Sequence, residues 1–191
     1  AAHGIVCQCR IALGLRGGQG ERFKTGTALN VAVGYVRDGF KVFFADCENS
    51  VDSITNRAYQ CMLSCTREEL SDGTFNKELK HIVKAFTKLG GEMRTDYFPA
   101  HVSTLADVER KLDELADEGF VPDIIVYDYL DLFASVDKSI KEKRLIIQNV
   151  YHHAIRINNK IGSFAFTMSQ ISKKFMGQDA IDITAFSEDI G

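Results

Sequence analysis

Lys24 and Thr25 follow a run of glycines, Gly17, Gly18 and Gly20, between an apolar segment (Ile11-Ala12-Leu13-Gly14-Leu15) and a stretch with helical periodicity. That is the setting of a phosphate-binding loop. Its pattern is Gly, four residues, then Gly-Lys-Ser/Thr: backbone N–H groups cradle phosphate, the lysine reaches the terminal phosphates, and the hydroxyl holds Mg²⁺. Gly18, Lys24 and Thr25 fit that pattern, whereas Phe23 stands where it has its last glycine. A glycine there allows backbone angles and a close approach to phosphate that a bulky side chain opposes. The same residues also read, without any chemistry, as a glycine-rich connection with an incidental lysine.

Three further strand ends carry polar residues. Pro122-Asp123-Ile124-Ile125-Val126-Tyr127-Asp128 is an apolar run ending in a carboxylate, the arrangement a P-loop nucleotidase uses around its Mg²⁺, or else a turn-capping Asp. Asp46-Cys47-Glu48 ends another run and would point a carboxylate where water could be activated, or into solvent. Thr167-Met168-Ser169-Gln170 closes a third, and Gln170 there could bond a terminal phosphate or the attacking water, or sit in a surface turn. Each signal is weak alone; four of them at strand ends, in chain order, reinforce one another.

The elements that must position these residues alternate along the chain. Ile11–Leu15 reads as a strand. Ala28, Val31, Ala32, Tyr35 and Val36 give helical spacing from Thr25 to Arg37, closed by Gly39. Lys41–Asp46 reads as a strand, and Ser50 can cap a helix through Ile54, Ala58, Cys61, Met62 and Cys65. Asn76–Leu89 reads as a helix ended by Gly90-Gly91, Met93–Phe98 as a strand, and Leu105–Asp117 as a helix started by Ser103 or Thr104. Ile124–Tyr127 is a continuous apolar run of the kind buried on both faces of a parallel sheet, Ile140–Asn159 a long helix, and Ser163–Met168 a last strand. Such alternation predicts an α/β fold with a mostly parallel sheet, helices on both faces, and function at the strands' carboxyl ends.

Composition narrows the class. The 191 residues suit one domain, 45% hydrophobic and 26% charged, large enough to bury a core without disulfides or a structural metal. A net charge of -3 argues against a protein that coats nucleic acid broadly, though not against a basic loop. No apolar run approaches the ~20 residues of a membrane span, and Ala1–Arg10 lacks the basic start of a secretory signal, so a cytoplasmic protein with reduced thiols is expected. The five cysteines lack zinc-knuckle spacing, and His152-His153, being adjacent, points to two different helix faces. Arg57 reads as a solvated helix residue ahead of an interface or site residue, and Lys138–Arg144 as a wet helix start. Phe40, Phe43, Phe44, Phe164 and Phe166 read as core.

Taken together, these segments resemble the ATPase domain of DnaB-type replicative hexameric DNA helicases, phage-type members included, within the RecA-like P-loop group. The resemblance runs from Ile11 to Gly191. It rests on Lys24–Ala32, on Val42–Ser50, on Thr167–Ser172 and, most specifically, on Asp123–Leu132, where Asp128-Tyr129-Leu130 is similar to the family's Walker B segment. The resemblance implies ATP and Mg²⁺ as cofactors. Gly18, Gly20, Lys24, Thr25 and Gly26 would hold the nucleotide, and Thr25 and Asp128 the metal. Glu48 would be general base, with Lys24 and Gln170 on the reacting phosphates. It further implies a homo-oligomeric ring, a hexamer in the family, single-stranded DNA gripped by a loop such as Ser172–Gln178 through Lys173 and Lys174, and primase or other replisome proteins as partners.

The chain is expected to be a single RecA-like domain over residues 1–191, without the family's last strands, which carry the arginine that reaches a neighbour's ATP site. Two other readings stand beside the helicase motor. One is a different RecA-like ATPase, a recombinase or a KaiC/RadA-type regulator; the other is a nucleotide- or DNA-binding subunit whose Phe23-bearing loop no longer turns over ATP.

Overall fold

Residues 22–168 are described by the computed structural model. Helix α1 (Arg22–Arg37) leads into strand β1 (Lys41–Asp46). Helices α2 (Val51–Leu63), α3 (Arg67–Ser71) and α4 (Asn76–Lys88) then lead to β2 (Glu92–Tyr97). Helix α5 (Leu105–Asp117) precedes β3 (Ile124–Asp128), and a 3-10 turn (Leu130–Leu132) and α6 (Lys143–Ile161) lead to β4 (Phe164–Thr167). The four strands pair in parallel in the order β2-β1-β3-β4. The chain therefore leaves β1 outward to β2, then crosses back over β1 to β3, and the sheet's order reverses at β1.

Burial explains the strand sequences. Every residue of β3 and all but the first of β1 are buried, so these central strands are uniformly apolar up to their closing aspartates. The edge strand β2 is only half-buried and carries Arg94 and Asp96. Alternation along each strand then assigns two faces. Tyr127 looks toward α6, whose Asn158 Nδ2 donates to the Tyr127 hydroxyl at 3.2 Å. Phe133 meets the Tyr127 ring edge-on, and Phe98 and Phe43 extend that aromatic chain. Val42, Phe44, Val126 and the two strand-ending aspartates look the other way, toward α1, which packs across β1, β2 and β3. Helices thus cover both faces, with α2 packed against α1, and α5 against α6.

Helix ends follow the sequence signals. Ser50 caps α2 by accepting from the Ser53 N–H, and Thr104, rather than Ser103, starts α5 through a capping box with Asp107. Gly39 (φ 94°) and Gly91 let the exits of α1 and α4 touch: a Cβ on Gly39 would stand 2.6 Å from the Leu89 carbonyl oxygen, and one on Gly91 would collide with that of Val36.

Some expectations shift. Helix α1 begins at Arg22, not Thr25, so Phe23 is already helical; α6 begins at Lys143, because residues 138–142 carry four charges or hydroxyls and no apolar stripe except Ile140. Strand β2 starts one residue earlier than its apolar pattern suggests, and β4 is shorter at both ends. Phe40 is 44% exposed, a rim residue edge-on to Tyr35 and not core. Short α3 and the turn at Leu130–Leu132 carry no periodicity long enough to announce them. The strand expected at Ile11–Leu15 lies outside the described residues.

Candidate functional site

Strands β1 and β3 end side by side, with Asp46 opposite Asp128 in register. Adjacent strands lie about 4.8 Å apart, so two carboxylates share the α1 face at the point where strand order reverses. The first turns of α1 bring Lys24 and Thr25 to the same place, and Thr25 is buried there.

Asp128 is 2% exposed, yet neither carboxylate oxygen is engaged by a hydrogen bond from a described residue. Burial pushes its acid up to about 6; the nearby Thr25 hydroxyl and Lys24 ammonium favour the charged form, while Asp46 and Glu48 oppose it. The Asp128–Tyr129 peptide is cis. A buried carboxylate without partners is rare, because an unpaired polar group in low dielectric is strongly unfavourable. Such a group is completed by a proton or a cation. A carboxylate beside a hydroxyl is a hard oxygen donor set of the kind Mg²⁺ takes, with phosphate oxygens and water filling the other positions.

The remaining residues surround this pair. The Lys24 ammonium lies 4.3 Å from the centre of the Tyr129 ring, a cation–π contact at the edge of the site. Glu48, just past the end of β1, is exposed, and its carboxylate takes no hydrogen bond from any described residue. Its charge still reaches Asp128. Thr167 ties the far side: its hydroxyl accepts from the Leu130 N–H at 3.3 Å and approaches the Tyr127 carbonyl at 3.1 Å. The loop after Asp128 is thereby held against the end of β4. Gly26 lies within α1 with no described atom within 4 Å of where a Cβ would stand.

The structure therefore gathers Lys24, Thr25, Glu48 and Asp128 around one cluster. Gly18, Gly20, Gln170, Lys173 and Lys174 lie outside the described residues, as does the loop that Phe23 follows. Sequence reasoning gave Asp46 no role apart from its place in the Asp46-Cys47-Glu48 strand end. That residue is 1% exposed and accepts from the Glu48 and Asn49 N–H groups, both at 2.6 Å, and from the Asn49 side chain. Burial raises its acid, against those hydrogen bonds and the Arg57 charge. Arg57 on α2 is thus half-buried and its charge acts on Asp46, where the sequence favours a solvated helix arginine over a site residue. The spacing Asp-x-Glu-Asn-Ser carries the signal for Asp46: an Asp whose side chain bonds backbone N–H groups two and three residues on is a common turn device.

No protein-family model matches the chain, and no curated protein does. Solved structures do match. One, described as an "ATPase Domain", superposes with a TM-score of 0.65 at 12% identity, over 85% of this chain and 58% of that one. Another, "The Structure Of A DnaB-Like Replicative Helicase And Its Interactions With Primase", gives 0.64 at 13% identity, over 88% of this chain and 42% of that one. At such identity the likeness is one of fold: the chain has the RecA-like fold of a DnaB-type helicase ATPase domain, and spans about half the length of these two. No helix among the described residues is long and apolar enough to cross a membrane.

Proposed function

We propose that the chain is the ATPase core of a DnaB-like replicative helicase, coupling Mg·ATP hydrolysis to movement along single-stranded DNA in a homo-oligomeric ring. The observation that carries this reading is Asp128: a buried, unbonded carboxylate at the carboxyl edge of a helicase-type core, with a lysine, a hydroxyl and a second carboxylate around it.

In this reading Thr25 and Asp128 hold Mg²⁺, which when bound offsets the negative charge that builds on the phosphates. Lys24 leaves the Tyr129 ring and neutralises the β- and γ-phosphates in both ground and transition states. Gly18, Gly20 and Gly26 offer backbone to the nucleotide, and Gln170 contacts the γ-phosphate. Glu48, exposed and unbonded, takes the proton of the attacking water at a carboxylate oxygen. Lys173 and Lys174 hold the DNA backbone, and several copies of so small a basic loop must act together, which is the reason to expect a ring, a hexamer by resemblance. Primase or other replisome proteins are the partners, in the cytoplasm of a bacterium or a phage-infected cell. Residues 1–191 form a single domain.

One sequence feature favours a second reading. Phe23 in place of the phosphate loop's glycine would suit a subunit that binds nucleotide without turning it over. ATP binding and hydrolysis, measured with and without single-stranded DNA on protein assembled into rings, separate the possibilities. DNA-stimulated hydrolysis supports the motor, DNA-independent hydrolysis a regulator-type ATPase, and binding without hydrolysis the inactive subunit. Lys24→Ala should lose affinity and turnover together.

A further inference from the structure

We infer that Asp46 is the positioning residue that sets Glu48 for water activation, a role that rests on the reading of Glu48 as general base. By place alone Asp46 is the stronger candidate base: it shares the face and the register of Asp128, whereas Glu48 lies beyond the strand. Its hydrogen bonds give it another task. One oxygen of Asp46 accepts the Glu48 N–H (2.6 Å), the Asn49 N–H (2.6 Å) and the Asn49 side-chain amide (3.3 Å), and the other oxygen accepts that same amide at 3.1 Å. Protonating this carboxylate would weaken four charge-assisted contacts at once, three of them on a single oxygen. Glu48 has none to give up.

The same contacts fix where Glu48 stands. Asp46 clasps the backbone N–H groups on both sides of the Glu48 Cα. Its own main-chain carbonyl accepts the Phe98 N–H from the end of β2 at 2.7 Å, and the next N–H, of Cys47, bonds the Asp128 carbonyl at 3.0 Å. From the other direction Ser50 caps α2. Between two anchored ends the Glu48 backbone is held in place, and its side-chain rotamers bring the carboxylate to water. Arg57, reaching toward Asp46 from α2, supports the charge that makes the clasp strong. Misplacing a reacting group by about 1 Å can lower a rate about 100-fold.

Asp46→Asn keeps an acceptor for the two backbone donors but removes the charge and sets one amide against another at Asn49. In the full protein assembled into rings, single-turnover hydrolysis should fall about 10–100-fold while Mg·ATP affinity stays within about 3-fold of the parent. Since Asp46 acts through Glu48, the loss should vanish in the Glu48→Gln background, where the group being positioned is already gone. A residue that merely stabilises the fold would lower the melting temperature and leave the rate per folded ring unchanged, or lower it equally in both backgrounds. Should Asp46→Asn not fold, Asn49→Ala removes only the side-chain half of the clasp and should give a smaller fall of the same kind. Parent-like rates in Asp46→Asn or, failing that, in Asn49→Ala would overturn the inference while leaving Glu48 as base. Parent-like rates in Glu48→Gln would overturn both.

Discussion

Asp46 and Asp128 close neighbouring strands in register, are 1% and 2% exposed, and look toward the same helix. Their surroundings differ most in the supply of local hydrogen-bond donors. Asp46 has the two N–H groups and the side chain of the loop it begins, because the chain after β1 turns back over it. Asp128 has none among the described residues, because the chain after β3 runs away into the turn at Leu130–Leu132 and the Leu130 N–H is taken by Thr167. Burial thus does not by itself mark a functional carboxylate. On the proposed reading, the one whose hydrogen bonds are supplied locally belongs to the scaffold of the site, and the one left unsatisfied is the one a ligand would complete.

The sharpest way to break this comparison is to remove the proton acceptor it nominates. Glu48→Gln should lower single-turnover ATP hydrolysis about 10²–10⁴-fold, the usual contribution of a positioned base, at nearly unchanged Mg·ATP affinity. If Asp46 were the base instead, Asp46→Asn would be the more damaged of the two, and the ranking of the two rates decides it.

Much of this was legible beforehand. Continuous apolar runs ending in Asp128 and Asp46 located the central strands, since only burial on both faces tolerates such runs. The caps at Ser50 and Thr104 and the stops at Gly39, Gly90 and Gly91 followed from rules that act within a few residues. What the sequence hid were relations between distant segments. That Asp46 stands opposite Asp128 is a matter of strand register, and that the Arg57 charge reaches Asp46 depends on how α2 packs beside the sheet. The tie from Thr167 to the loop after Asp128 joins residues 37 apart. Neither periodicity nor a motif encodes those.

A second test reads stability in place of rate. Asp46→Ala deletes the acceptor of two part-buried N–H groups, each loss worth about 1–3 kcal/mol, so urea unfolding should show a destabilisation of about 3 kcal/mol. Asp128→Ala deletes a side chain whose oxygens hold no described donor and should destabilise far less, and on the proposed reading it should abolish the response of nucleotide binding to Mg²⁺. Equal destabilisation by the two would erase the distinction drawn between them.

The third test uses pH. Asp128 titrates near 6 in the folded chain, above the ~3.9 of an unfolded Asp, so the folded state holds the extra proton. Its contribution is neutral below about pH 4, where both states are protonated, and turns unfavourable as pH rises through 6, where burial outweighs the support that the Thr25 hydroxyl and Lys24 ammonium give the carboxylate. By linkage the penalty above pH 6 is at most about 3 kcal/mol. Asp128→Asn should therefore raise the melting temperature of the metal-free protein at pH 7–8 and leave it unchanged at pH 4. Asp46, raised by burial too, adds to the same trend in the parent and remains in the variant. A melting temperature that responds equally at both pH values would mean that Asp128 is not held unpaired.

The smallest effect concerns the lysine beside the unsatisfied aspartate. With its ammonium 4.3 Å from the Tyr129 ring centre, Lys24 gains about 0.5–1 kcal/mol from the ring face in the nucleotide-free chain. Phosphate must draw it off that ring, so part of the phosphate's attraction is spent on leaving it. Tyr129→Leu keeps apolar bulk at this 8%-exposed position and removes the face, and should tighten binding of a non-hydrolysable ATP analogue about 2–5-fold. Tyr129→Phe keeps the face and should bind like the parent, which separates the ring from its hydroxyl. In the Lys24→Ala background the two variants should no longer differ, since no cation remains to be released. Weaker binding in Tyr129→Leu would instead show that the ring still holds the ammonium when nucleotide is bound, and that Tyr129 orients Lys24 toward phosphate instead of competing with it.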